Sequence, residues 1–166
     1  ITANYALMQR LNLVHARSVA GRMIVQTVDN MLYNYAQTRV VTQRKPTDDE
    51  HYAMMFALRV AKHVKSNAVV FATQDRTLAI GAGQMSRVDS VKIAILKAQE
   101  SGIDLKGCAV ASDAFFPFSD GLLQLVEAGV TAVLQPGGSV RDDEVISAAN
   151  AHNIAMIFTG IRHFKH

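Results

Sequence analysis

Cys108-Ala109-Val110-Ala111, followed by Ser112-Asp113-Ala114-Phe115-Phe116-Pro117-Phe118-Ser119-Asp120, is the stretch that sets the fold class. The first four residues form an apolar run of the length of a buried strand, and a helical pattern begins near Gly121, so the nine residues between them read as a strand-to-helix loop. Loops seldom hold several large rings, because they run over the surface. Phe115, Phe116 and Phe118 therefore either plug the core above a sheet or line a slot for a planar ligand, with Asp113 and Asp120 bracketing it.

The same grammar continues downstream. Leu122, Leu123, Leu125 and Val126 follow helical spacing up to Gly129. Thr131 to Gln135 reads as a strand, Pro136-Gly137-Gly138-Ser139 as a turn, Asp142 to His152 as a helix and Ile154 to Phe158 as a last strand. Strands alternating with helices predict right-handed crossovers and an α/β fold, a three-layer mixed but largely parallel sheet flanked by helices. In such a sheet the loops leaving the strand C-termini gather on one edge, where ligands bind.

Upstream, Pro46-Thr47-Asp48-Asp49-Glu50 announces a helix: Thr47 caps it, Glu50 completes a capping box, and acids fill the first turn. Ala53, Phe56, Ala57, Val60, Ala61 and Val64 form its expected core stripe, which leaves His51 and His63 towards solvent. Lys65-Ser66-Asn67 stops the helix. Ala68 to Ala72 and Thr77 to Gly81 read as an antiparallel hairpin around the polar turn Thr73 to Arg76, so Asn67 should lie beside the loop that follows Gly81. That loop, Gly81-Ala82-Gly83-Gln84-Met85-Ser86-Arg87, opens a helix carrying Val88, Val91, Ile95 and Ala98. Glycines ahead of a helix can leave N–H groups for an anion. The third glycine of a dinucleotide fingerprint is missing, however, and so is the ending of a P-loop, and spacing alone favours a tight turn with a solvent-facing Arg87. Further upstream, Tyr5 to Leu13 offers a weak helical stripe and Arg22 to Val28 reads as a strand. The polar segment Asp29 to Gln37 leads to an apolar pair at Val40 and Val41, and none of this region is expected to carry chemistry.

At 166 residues, 49% hydrophobic and 19% charged, the chain is about one domain with enough apolar content for a substantial core. Its apolar runs fall far short of the roughly 20 residues of a membrane helix. A single cysteine, Cys108, allows no intrachain disulfide and suggests a reducing, cytoplasmic setting. The net charge of +3 comes from scattered basic residues, which fits a small anionic ligand at least as well as nucleic acid. The chain begins at Ile1, which reads as the end portion of a longer polypeptide.

Zinc-deaminase and serine-hydrolase signatures are absent, and His163 with His166 alone makes a poor metal site, so no metal is expected. What remains at the predicted edge is an apolar slot, the carboxylate of Asp120, the amide of Asn67, backbone donors at Gly137-Gly138, and the cationic tail Arg162-His163-Phe164-Lys165-His166, which suits a phosphate or carboxylate.

Several phrases of the sequence, taken together, resemble the AICAR transformylase family. They are Lys65-Ser66-Asn67-Ala68, Gly81-Ala82-Gly83-Gln84-Met85-Ser86-Arg87, Ser112 to Phe118, Gln135-Pro136-Gly137-Gly138-Ser139 with Arg141-Asp142-Asp143-Glu144, and the tail Arg162 to His166. The resemblance runs from about Val40 onward. It implies formyl transfer from formyl-tetrahydrofolate to aminoimidazole carboxamide ribonucleotide, in an enzyme that also carries IMP cyclohydrolase. The implied fold is two cytidine-deaminase-like repeats without zinc, of which residues 1–166 would be the second. By position, Asn67, Arg87, Phe115 and Arg162 would contact the ribonucleotide, with Asn67 also catalytic, and Val88, Asp120, Gly137 and Gly138 would contact the folate. Family members work as homodimers. The family's adjacent lysine and histidine belong to the preceding repeat, so residues 1–166 alone are expected to be inactive. A non-catalytic ligand-binding or dimerisation module is the alternative.

Overall fold

A computed structural model describes residues 14–165, which fall into two units divided between Leu32 and Tyr33. The expected helical stripe at Tyr5 to Leu13 lies outside the described residues.

In the first unit, β1 (Val14–Val19) and β2 (Arg22–Thr27) form an antiparallel hairpin, with Val14 opposite Thr27 and Val19 opposite Arg22. The turn residues Ala20 and Gly21 both have positive φ, at 47° and 75°. That is the backbone twist a two-residue connection needs to match the twist of its strands. β2 answers to the predicted strand; β1 was not foreseen, because His15 and Arg17 interrupt its apolar positions.

The second unit is a mixed α/β structure. β3 (Arg39–Val40), β4 (Val69–Ala72), β5 (Thr77–Gly81), β6 (Ala109–Ser112), β7 (Ala132–Gln135) and β8 (Ala155–Phe158) form one sheet in the order β3-β8-β7-β6-β4-β5. The pairs β6–β7 and β7–β8 are parallel, whereas β3–β8, β4–β6 and β4–β5 are antiparallel. The expectation of a largely parallel sheet thus holds only for the C-terminal strands. The Thr73 to Arg76 turn is too short for a parallel crossover, and it turns β5 back along β4.

Strand alternation feeds two cores. Val69, Phe71, Val110, Val133, Met156 and Phe158 face one cluster, which they share with Val91, Ala94 and Ala98 of α2 (Arg87–Glu100), Leu122 and Leu125 of α3 (Ser119–Glu127), and Val145 and Ala149 of α4 (Asp142–Ala151). The intervening Val70, Ala111, Leu134 and Ile157 are equally buried, and α1 (Asp48–Ala61) packs against β4, β6 and β7. Helix, sheet and helices make the three layers expected.

α1 starts as predicted. The Thr47 hydroxyl accepts from the Glu50 amide at 3.2 Å and the Glu50 carboxylate accepts from the Thr47 amide at 2.9 Å. Its core stripe is wider than predicted, because Met54, Met55 and Leu58 are buried while Phe56 and Val60 are only half-buried. His51 and His63 are exposed, as expected.

Because β5 and β6 both run antiparallel to β4, the C-terminal ends of β5, β6, β7 and β8 share one edge with the start of β4. Gly81 is what lets α2 lie close at this edge: a Cβ there would stand 1.8 Å from the Ser90 carbonyl oxygen.

Candidate active site

Arg87 sits at the first turn of α2, whose N-cap Ser86 accepts a hydrogen bond from the Asp89 amide at 3.1 Å. Its side chain turns inward and is only 8% exposed, so the solvent-facing alternative is ruled out. Nε donates to Ser112 Oγ at 2.6 Å, Nη1 to the Phe115 carbonyl at 2.9 Å, and Nη2 to Asp113 Oδ1 at 2.6 Å and Asn67 Oδ1 at 3.2 Å. A guanidinium carries five N–H donors in a planar fork, and this one spends most of them tying the β6–α3 loop to the start of β4. Asp113 is fully buried and its backbone is held too, its amide donating to the Ala68 carbonyl and its carbonyl accepting from His163.

Asn67 is thereby oriented. Its Oδ1 faces Arg87, its Nδ2 donates to the Gln84 carbonyl at 3.0 Å, and its own carbonyl accepts from Ser90 Oγ at 2.8 Å. A side-chain amide has two N–H donors, and the second is not used by another described residue. Asn67 does lie beside the loop after Gly81, its amide reaching the Gln84 carbonyl.

The three rings of the aromatic loop separate by role. Phe116 is 1% exposed and belongs to the core cluster. Phe115 is half-buried, with the Arg162 guanidinium stacked over its ring at 4.5 Å. Phe118 is exposed, with Arg141 over its ring at 4.7 Å. The core reading thus holds for Phe116, whereas Phe115 and Phe118 each carry an arginine over the ring.

The residues expected to meet a folate fall into two places. Val88 lies over the start of α3: a Cβ at Gly121, next to Asp120, would meet the Phe116 ring at 2.9 Å and a Val88 methyl at 3.6 Å. Asp120 is exposed and accepts from the Gly121 amide at 2.7 Å. Gly137 and Gly138 lie in the turn after β7. The Asp142 carboxylate takes the Gly138 amide at 2.7 Å and the Ser139 amide at 3.1 Å, so of the two backbone donors expected at Gly137-Gly138 the second is already occupied. The loops are cross-tied nearby: Glu144 accepts from the Ser119 hydroxyl at 2.8 Å and from Arg141 at 3.1 Å, and these bonds, the Ser119 one foremost, hold its carboxyl below the usual range.

A cleft of about 330 Å³ opens on the same edge, lined by Gln37, Arg39, Pro136, Gly137, Gly138, Phe158, Gly160 and Arg162. It collects Gly137, Gly138 and Arg162 from among the predicted residues, and Gln37 and Arg39 from a region expected to carry no chemistry. Arg39 comes to the cleft because β3 pairs with β8, with Arg39 opposite Phe158. Its charge beside the Val40-Val41 pair was the available signal. The tail contributes less charge than anticipated: Arg162 lines the cleft, but Lys165 Nζ donates to the His63 carbonyl at 2.9 Å, and His166 lies outside the described residues. Cys108 is buried, and loss of water pushes its thiol up to about 12, which removes it as a nucleophile at neutral pH.

The arrangement can hold an amide and a guanidinium against a polar ligand, stack a ring, and offer cations to an anion. Comparison with known proteins agrees with the phrases from which the resemblance was drawn. The family model described as AICARFT/IMPCHase bienzyme matches residues 3–97. The "Bifunctional purine biosynthesis protein PurH" of Chloroflexus aurantiacus is 61% identical over 150 residues, covering 90% of this chain and 29% of that protein. The protein of the same name from Chlorobaculum parvum is 59% identical over the same coverage. Residues 1–166 thus correspond to less than a third of the length of these relatives. A solved structure of a diaminohydroxyphosphoribosylaminopyrimidine deaminase/5-amino-6-(5-phosphoribosylamino)uracil reductase from Thermotoga maritima is similar with a TM-score of 0.49 at 17% identity, covering 64% of this chain and 36% of that one, a likeness too slight to bear on function. The chain belongs to the AICARFT/IMPCHase bienzyme family.

Proposed function

We propose that this chain supplies one half of a formyl-transfer site, acting in purine biosynthesis on aminoimidazole carboxamide ribonucleotide with formyl-tetrahydrofolate as co-substrate. The observation that carries this reading is the bonded cluster of Asn67, Arg87 and Phe115, with Arg162 stacked on Phe115, at the edge where the β6, β7 and β8 strands end. In the reaction the substrate amine attacks the formyl carbon, an oxyanion forms there, and collapse breaks the bond to the folate nitrogen. The amine gives up a proton and the folate nitrogen receives one. The amine is a weak nucleophile because it is conjugated with the carboxamide, so proton removal and oxyanion stabilisation are the needs. The uncommitted Asn67 N–H is suited to the oxyanion or to the carboxamide, Arg162 to the ribonucleotide phosphate, and Phe115 to the base. Arg87 acts chiefly by holding Asn67 and the Phe115 carbonyl in place. Val88, Asp120, Gly137 and Gly138 border the folate. No step here needs a metal.

In this reading residues 1–166 are the second of two cytidine-deaminase-like repeats, and the adjacent lysine and histidine that move the proton come from the other repeat. Lys62-His63 is not that pair, since it lies at the end of α1 with His63 exposed. The working enzyme is cytoplasmic and homodimeric, with the cyclohydrolase activity elsewhere in the longer protein. The test is formyl transfer followed by release of tetrahydrofolate. This chain alone should give no turnover. Mixing it with the portion of the Chloroflexus aurantiacus relative that it lacks should restore turnover, and Asn67→Ala should lose it. Turnover by the chain alone would disprove the dependence on the missing pair. No turnover in the mixture, with association of the two parts demonstrated, would favour the non-catalytic module.

A further inference from the structure

We infer that the β1–β2 hairpin is a docking arm, whose uncharged face is covered by an apolar surface on the part of the longer bienzyme outside residues 1–166. Side chains opposite one another in an antiparallel pair share a face, and the faces alternate along each strand. The pairs Val14–Thr27, Ala16–Val25 and Ser18–Met23 therefore make one face, which carries no charge. The pairs His15–Gln26, Arg17–Ile24 and Val19–Arg22 make the other, which holds both arginines and the histidine of the hairpin. Such a separation is that of an antiparallel sheet with one side on a core and the other in water. The uncharged side is nevertheless open: Val14 and Val25 are each 56% exposed and Met23 is 68% exposed.

The family match over residues 3–97 takes in the whole hairpin, which makes it part of the shared sequence rather than a private extension. Area selects what covers it. Strands of 6 residues each, rising about 3.3 Å per residue and lying about 4.8 Å apart, give a face of roughly 200 Å². A stable interface between separate molecules takes about 800 Å² on each partner, so two hairpins stacked on one another fall several-fold short. A surface on the same polypeptide needs far less, because linkage supplies an effective concentration in the millimolar range. The Chloroflexus aurantiacus relative has room for that surface, since the match to this chain covers only 29% of its length. Docked there, the hairpin buries Val14, Met23 and Val25 and leaves His15, Arg17 and Arg22 towards water.

The inference rests on family membership and not on the formyl-transfer reading, so its test needs no substrate. The chain is mixed with the portion of the Chloroflexus aurantiacus relative that it lacks, each at about 100 μM or more because linkage is absent. Association is followed by sedimentation and by amide shifts of residues 14–27. Those amides should shift saturably. Met23→Lys and Val25→Lys should each weaken association about tenfold or more, because a charge would then be pressed against an apolar surface. Met23→Leu should keep the parent's affinity, and Ile24→Lys, on the opposite face, should leave it unchanged. Association without shifts in residues 14–27, equal losses from Ile24→Lys and Met23→Lys, or no association at all overturns the inference. Hairpin shifts that appear on concentrating the chain alone would make a second copy the occupant and overturn it equally. A mixture that associates through the hairpin yet transfers no formyl group would count against the functional reading alone.

Discussion

Arg87 decides how the edge is built. Its guanidinium joins residues of three segments, and its partner Asp113 has no exposure at all. Taking both charges out of water costs several kcal/mol per ion, which the pair recovers only through close geometry and the additional hydrogen bonds. Removing one partner therefore leaves the other buried and uncompensated. Arg87→Ala should destabilise the chain by roughly 3–5 kcal/mol in urea denaturation, and Arg87→Lys, which keeps the charge and loses the fork, should recover only part of it. A loss below about 1 kcal/mol would mean that the side chain serves ligand rather than structure. The burial of Arg87 was not legible in the sequence. Its partners Ser112 and Asp113 lie 25 and 26 positions away, and the folding of β6 against β4 is what brings them into reach. Asn67, by contrast, could be placed from local signals, because a short turn between two apolar runs sets a hairpin and hence which residues flank its open end.

At the scale of elements, α1 shows what local chemistry can specify. Its start was readable because a capping box uses residues three apart. Its buried face was not, because Ala53 to Leu58 is apolar all round and carries no period strong enough to choose a side. Strand directions divided in the same way: β6, β7 and β8 are joined by helices and came out parallel, as crossovers require, whereas the placement of β4 between β5 and β6 depends on contacts distant in sequence. The capping box gives α1 a pH dependence. Burial raises the Glu50 pKa, but the hydrogen bonds from Arg44 at 2.8 Å and from the Thr47 amide outweigh it and hold the carboxyl down at about 2. Arg44 also donates to the Thr131 carbonyl, which links the helix start to β7. With a folded-state pKa below the unfolded value, the stabilisation is complete above the ordinary glutamate range and is lost as pH falls towards 2. Glu50→Gln should cost roughly 1–2 kcal/mol near neutral pH, and melting curves of parent and variant should converge between about pH 4.5 and 2. A constant difference across that window would assign the effect to packing rather than charge.

For the whole molecule, the important fact is where burial occurs. Every buried residue among those described falls between Thr42 and His163, and both cores are closed by elements of the second unit. The β1–β2 hairpin, in contrast, keeps every one of its strand residues exposed, Met23, Ile24 and Val25 included. A two-stranded hairpin without a packed face is marginal by itself in water, whereas a six-stranded sheet covered on both faces has what independent folding needs. A chain beginning at Tyr33 should therefore fold alone, showing one cooperative thermal transition and native-like near-ultraviolet dichroism. A broad, non-cooperative melt would show that the sheet depends on residues 1–32.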